Sequence, residues 1–190
     1  MLVPKFLSVS LVRSAKGLNV ESKRSVFMDV ADLVRYNHTI RGSYLDALSK
    51  LSWAVVVEPR GLSFGSMRNV FVHLTLVEDG WINYVIPGRF KEWGDPDFEA
   101  FKDMDSLKKC RLRVEEKTES YLAKLSVEEL NRQIPIPWSD FPKTEASIET
   151  ILKHTVLEDM IHYGELSASF WQIGEEAPYI AFWQYKTREY

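Results

Sequence analysis

The sequence from Ile151 to Leu166 reads ILKHTVLEDMIHYGEL and carries His154, Glu158 and His162 at intervals of four residues. An α-helix turns once in about 3.6 residues, so side chains at this spacing lie on nearly one stripe of a helix. A helix does not need three potential metal ligands on one stripe in order to be soluble. We therefore predict a bundle helix that carries a metal site.

The composition is that of an ordinary globular protein. The 190 residues are 45% hydrophobic and 27% charged, which favours one domain with a sizeable core. The net charge of −3 argues against a nucleic-acid-binding protein, which usually carries a basic excess. The apolar stretches fall short of the roughly 20 residues that span a bilayer. The first residues lack a signal-peptide pattern, because Lys5 and Ser8 interrupt them, and we expect a cytoplasmic protein.

Apolar residues at the helical period predict four long helices. The predicted helices cover about residues 27–51, 67–86, 106–130 and 148–172. Ser66 is a good N-cap for the second helix, and Ser147 or Thr144 can cap the fourth. Pro87 with Gly88 ends the second helix, and Gly174 ends the fourth. We therefore predict an all-α fold, a four-helix bundle.

The segments outside the four helices are predicted from local patterns. Residues 131–146 contain three prolines and cannot be the interior of a helix, whereas residues 175–190 are expected to form a short extra helix. Residues 87–105 form a long connection, which is either surface packing or a lid over a site. Residues 1–24 are treated as an extension that packs on the bundle domain, residues 25–190. An alternation of period two within this extension is consistent with a short strand.

Several polar residues fall within the apolar arcs of the predicted helices. Asn37 and Arg41 lie inside the arc of the first helix, and His38 lies at its edge, where we expect a surface or boundary residue. His73 lies at the margin of the second helix, from which it can reach the bundle interior. Glu78 lies inside the same arc and is either paired, with Arg41 as one candidate, or solvated at the surface.

The candidate metal ligands come from two helices. His73 from the second helix can converge with Glu158 and His162 from the fourth helix on one ion. A site of two histidines and one carboxylate leaves coordination positions open for water or substrate. The hypothesis requires that His73 and His162 lie within about 10 Å of each other, because ligands bind at roughly 2.0–2.2 Å from the ion. Cys110 points toward the core and is interpreted as a small hydrophobic residue.

Two sequence motifs resemble those of the DinB/YfiT-like superfamily of bundle metalloproteins. The first is Phe64–Ser66 at the start of the second helix, followed by His73, Glu78 and Trp81. The second is the segment His154–Leu166, which is similar to a family pattern of three histidines at four-residue spacing followed by Arg-Gly-Gln. The resemblance spans about residues 28–172. It implies an all-α bundle that holds a metal ion with three ligands.

The resemblance implies His73, Glu158 and His162 as the metal ligands. The chain departs from the family pattern because Glu158 replaces a histidine and Tyr163–Glu165 replaces Arg-Gly-Gln. Glutamate is a competent ligand, so the site can hold zinc, iron, nickel or manganese. His154 is either an alternative ligand or a hydrogen-bond partner of a ligand.

The resemblance implies a metal-dependent enzyme, either a hydrolase or a thiol transferase, with a small-molecule substrate. Glu78 and Glu165 are then candidates for a general base or for residues that orient a ligand. The alternative is a non-catalytic bundle that binds a metal or small ligand, or a stress-related protein with a lapsed metal site. A solvent-open apolar pocket beside the ligands would favour the enzyme. The resemblance also implies a homodimer, and we expect neither a nucleic-acid nor a membrane partner.

Overall fold

The computed structural model describes residues 29–138, 140 and 144–188. The predicted extension, residues 1–24, and its strand lie outside the described residues. The helices and strands, in chain order, are α1 (Val30–Leu48), α2 (Trp53–Val57), α3 (Met67–Gly80), α4 (Met104–Leu122), α5 (Val127–Asn131), β1 (Gln133–Pro135), β2 (Glu145–Ser147), α6 (Ile148–Gln172) and α7 (Phe182–Thr187). A π-helical turn, Trp81–Val85, continues α3, and two 3-10 turns, Phe90–Glu92 and Phe98–Ala100, lie in the following connection.

The four long helices form the predicted bundle. Neighbouring helices contact each other in the cyclic order α1, α4, α3, α6. Their buried apolar side chains form two core clusters, one toward each end of the bundle. The all-α prediction is therefore confirmed, and within the described residues no helix is both long and apolar enough to cross a bilayer.

Side-chain caps define where the long helices begin. The side chains of Asp29, Ser66, Asp103 and Ser147 each accept a hydrogen bond from a first-turn backbone amide of α1, α3, α4 and α6. Such a bond satisfies a donor that has no partner inside the helix. The predicted caps of the second and fourth helices are confirmed, and α6 ends before Gly174, which has a φ of 79°.

Three predicted segments differ from the structure. The first helix ends at Leu48, and part of the predicted connection after it forms α2. The third helix ends at Leu122, because Ser126 accepts a hydrogen bond from the amide of Glu129 and starts the separate helix α5. The proline-rich segment is non-helical, as predicted, but it also pairs β1 with β2 as an antiparallel ladder. The short helix predicted in the tail is confirmed as α7.

A buried ion cluster joins three of the long helices. The guanidinium of Arg41 on α1 lies 2.8 Å from Glu78 on α3 and 2.6 Å from Asp159 on α6. All three side chains are at most 1% exposed. Asn37 donates a further hydrogen bond of 2.6 Å to Asp159. Glu78 is therefore paired with Arg41 and not solvated, which settles the alternative that the sequence left open.

His38 belongs to the same cluster, contrary to the prediction. We expected a surface or boundary residue, but His38 is buried and its Nε2 lies 2.9 Å from a carboxylate oxygen of Glu78. The hydroxyl of Thr118 on α4 donates to the same carboxylate. The prediction that His38 lies at the edge of the apolar arc of α1 was correct, but α4 packs over that edge. The wheel of one helix does not show where a neighbouring helix lies.

Candidate metal centre

His73, Glu158 and His162 lie together at one face of the bundle, as the sequence predicted. Each residue offers one ligand atom, and the three atoms lie within 4.8 Å of one another. His73 lies two turns after the capped start of α3, and the other two residues lie one turn apart in the middle of α6. The ring centroids of His73 and His162 are 4.8 Å apart, well inside the 10 Å limit set from the sequence.

The ring of His73 is held in place, and one of its nitrogens makes no hydrogen bond within the described residues. Phe64 stacks on the ring at 3.9 Å between centroids and an interplanar angle of 23°. The Nε2 atom is buried without a hydrogen bond to any described residue and lies 3.6 Å from Oε1 of Glu158. That separation is close to the roughly 3.4 Å expected between two tetrahedral ligands of one ion at about 2.1 Å. A buried nitrogen that makes no hydrogen bond fits a metal ligand.

His162 is oriented by a carboxylate on its other side. Its Nδ1 lies 3.1 Å from Oε2 of Glu165, and the hydroxyl of Ser63 donates to the same oxygen at 2.7 Å. Partial burial opposes ionisation of Glu165, but Ser63 and His162 together lower its pKa below the ordinary value. A histidine that donates Nδ1–H to a carboxylate presents Nε2 to a metal. Glu165 is thus placed to orient His162.

Glu158 connects the three-residue group to His154. The neighbouring His73 lowers the pKa of Glu158 below its ordinary value, with further contributions from His154 and His162, while partial burial acts in the opposite direction. Its Oε2 lies 3.2 Å from Nε2 of His154, which is 53% exposed. The residues present therefore fit a divalent metal: two imidazoles and an ionised carboxylate, all half-buried.

An apolar pocket opens beside the candidate ligands. It has a volume of about 660 Å³, and His73, His154 and Glu158 form part of its wall. The rest of its wall is mainly apolar and includes the side chains of Trp81, Trp93, Trp138, Val77, Ile136 and Ile151. We call this cavity the tryptophan pocket. Its volume lies within the range of about 300–1,000 Å³ that is typical of small-molecule sites.

Glu78 does not join the candidate ligands. It lies in the ion cluster described above, where its carboxylate contacts Arg41, His38 and Thr118. Burial opposes its ionisation, but Arg41 and His38 hold its pKa at about 2. Of the two candidate general bases, only Glu165 contacts a candidate ligand, and a catalytic role for either stays a prediction.

Sequence reasoning missed part of the wall of the tryptophan pocket. Trp138 follows β1 in a segment predicted only as a non-helical connection, yet its ring lies 4.8 Å from that of Trp81. Phe64 was noted only as part of a motif, and its stacking on His73 was not predicted. The enrichment of tryptophan, with six in 190 residues, was a signal that was not used.

The fold and the three converging side chains define a helical-bundle protein with a candidate metal site of two histidines and one carboxylate. The chain matches the model of the DinB family over residues 23–189 and belongs to that family. A search of curated proteins found no match to the chain.

Proposed function

We propose that the protein is a metal-dependent enzyme of the hydrolase or thiol-transferase type. The observation that carries the proposal is the buried Nε2 of His73, which makes no hydrogen bond and lies beside Glu158 and His162, with His73 and Glu158 in the wall of an open apolar pocket. An open pocket distinguishes this function from that of a non-catalytic bundle, in which the polar residues would form a sealed contact between helices. The substrate is a small molecule, which the pocket volume accommodates.

The residues of the chain have distinct tasks in this proposal. His73, Glu158 and His162 hold a divalent ion, and Glu165 keeps His162 in the required orientation through Nδ1. When bound, such an ion lowers the pKa of a coordinated water or thiol and polarises a carbonyl group. The apolar wall provides a low-polarity surface beside the reacting group, which strengthens electrostatic interactions there. His154 stays open to solvent and contacts Glu158 from outside the three-residue group.

Metal analysis tests this proposal directly. We expect about one equivalent of zinc, iron, nickel or manganese in protein purified without a histidine tag or chelator, measured by mass spectrometry. His73→Ala and Glu158→Ala are each expected to lose the metal. The matched control is Glu149→Gln, an exposed carboxylate on α6 that pairs with Lys153 and should not change the metal content.

Thermal unfolding gives an independent readout of the same site. Metal added at about 1,000 times its Kd should stabilise the wild-type protein by about 4 kcal/mol, because it binds only the folded state. Glu158→Ala should abolish this stabilisation. Protein that contains no metal and takes up none on reconstitution would contradict the proposal, and the non-catalytic bundle would then be favoured.

We also propose that the protein forms a homodimer through α6. Leu157 and Ile161 are 63% and 70% exposed and lie one turn apart on this helix. Gly164 and Ala168 extend the same stripe, and neither blocks the close approach of a second helix. Light scattering at micromolar concentration should give twice the mass of the 22.1 kDa chain.

Ile161→Glu tests which surface forms the dimer. We expect it to produce monomers, because it places a charge in the centre of an apolar contact. Leu112→Glu on α4, where the leucine is 50% exposed, is the matched control and should leave the dimer intact. A wild-type monomer at these concentrations, or an Ile161→Glu dimer, would contradict the proposed contact.

A further inference from the structure

The tryptophan pocket is built by three independent structural features. Trp81 is the first residue of the π-helical turn, and π-helical turns within α-helices often occur at functional sites. Trp138 comes from the connection after β1 and packs against Trp81 and Phe90 with ring centroids 4.8 and 5.4 Å away. Trp93 comes from the long connection and lies edge-on to Trp138 at 6.4 Å and 88°. Separate segments thus place three indoles around one cavity.

Gly80 is required for the position of Trp93. A Cβ atom at residue 80 would lie 2.3 Å from the indole ring, closer than two heavy atoms can approach without a shift. The glycine therefore provides the space into which the indole packs. Gly94, which directly follows Trp93, has no described atom within 4 Å of such a Cβ and provides a matched control.

The titratable side chains of the tryptophan pocket all belong to the candidate metal centre or contact it. They are His73, His154 and Glu158, whereas the remaining wall consists of apolar side chains with Thr144 and Thr150. A ligand that satisfies both parts has an apolar body and one polar head. Indole walls at edge-on and tilted angles favour a flat aromatic body, because aromatic rings pair best in offset or edge-to-face arrangements.

We infer that the pocket binds a small molecule whose planar aromatic group packs between Trp81, Trp93 and Trp138 while its polar reacting group lies at His73, Glu158 and His162. This inference rests on the proposed function, since it names the substrate class of the same site. The three tryptophans then select the substrate, and the histidines and the glutamate hold the reacting end.

Two hydroxamic acids test the inference by calorimetry on the metal-loaded full chain. Hydroxamates chelate divalent metals through two oxygens, so 2-naphthohydroxamic acid and acetohydroxamic acid present the same head with and without an aromatic body. We expect the naphthyl compound to bind about 100-fold more tightly, because it buries roughly 100 Å² more apolar surface. Trp138→Ala should weaken binding of the naphthyl compound about tenfold and leave acetohydroxamic acid unchanged.

Further variants distinguish the effect of losing the aromatic pocket from the effects of losing the metal ion or the fold. Gly80→Ala should displace the Trp93 ring and reduce the naphthyl preference several-fold, whereas Gly94→Ala and Trp183→Ala, whose indole is 61% exposed, should retain it. Glu158→Ala should weaken both hydroxamates equally. Trp93→Ala repeats the pocket test if Trp138→Ala does not fold.

A non-chelating probe distinguishes failure of this inference from failure of the proposed function. 2-Naphthamide should bind the metal-free protein, and Trp138→Ala or Trp93→Ala should weaken its binding about tenfold. If it binds in this way and no metal is taken up, the aromatic pocket stands and the metal-dependent function fails. Equal affinities of the two hydroxamates, or a naphthyl preference that survives both tryptophan variants, would overturn the inference.

Discussion

Arg41→Met is expected to lower the free energy of unfolding by about 3–5 kcal/mol, the usual cost of removing one partner from a buried ion pair. Arg41 is fully buried and contacts the carboxylates of Glu78 and Asp159 at 2.8 and 2.6 Å. Methionine fills a similar length but carries no charge, so two buried carboxylates would lose their common cation. The measurement is urea unfolding at pH 7, followed by circular dichroism.

Arg35→Met provides the matched control on the same helix. Arg35 pairs with Glu119 at 3.1 Å, but both side chains are about 40% exposed. Exposed ion pairs contribute only about 0–1 kcal/mol, so this variant should unfold close to the wild type. Equal effects of the two variants would show that Arg41 does not act as the common cation of the cluster.

The ion cluster also bears on the candidate metal centre. Arg41, Glu78 and Asp159 lie on α1, α3 and α6, and the candidate ligands lie on α3 and α6. Asp159 directly follows Glu158 in the sequence, so the contact with Arg41 fixes the rotation of α6 at the residue next to a candidate ligand. The cluster therefore sets the register in which His73 meets Glu158 and His162.

The sequence predicted the long helices because their signals are local. Apolar residues at the helical period and capping side chains such as Ser66 and Ser147 act within one or two turns of a single segment. The break between α4 and α5 at Ser126 also has a local signal, because a serine three residues before a glutamate is a typical N-cap. It was missed because Leu125 continued the apolar pattern of the preceding helix.

The candidate site was predictable only where a single helix places its residues. The four-residue spacing of Glu158 and His162 defines their stripe on α6, and the position of His73 at the margin of the apolar arc of its own helix made it the third candidate. The burial of His38 and the contact of Trp138 with Trp81 depend on how separate segments pack. Angles and depths between helices arise from the whole set of contacts, and no periodicity within one segment specifies them.

Acidification is expected to weaken the fold through Glu78. Burial alone would raise the pKa of this carboxyl group, but Arg41 and His38 lower it from 4.5 to about 2 in the folded protein. A group whose pKa is lowered by folding stabilises the protein above its unfolded pKa. That stability is lost as the pH falls through the folded pKa, here between about pH 4.5 and 2. The contribution lost by pH 3 is about 2 kcal/mol.

The test compares the urea unfolding of the wild type and Glu78→Gln between pH 6 and pH 3. The variant should be less stable at pH 6 but should lose about 2 kcal/mol less on acidification, because glutamine does not titrate in this range.

Asp159 should behave in the opposite way, since burial raises its pKa despite Arg41 and Asn37. Its protonation therefore favours the folded state as the pH falls.

Asp159→Asn is thus expected to steepen the acid-induced loss of stability, whereas Glu78→Gln reduces it. Opposite changes of slope would show that Arg41 neutralises Glu78 more completely than Asp159, as expected for one cation between two buried carboxylates. The same slope in both variants and the wild type would mean that the cluster does not control acid stability. The loss would then arise from carboxylates outside the cluster, such as those of Glu99 and Glu129, whose pKa values are also lowered.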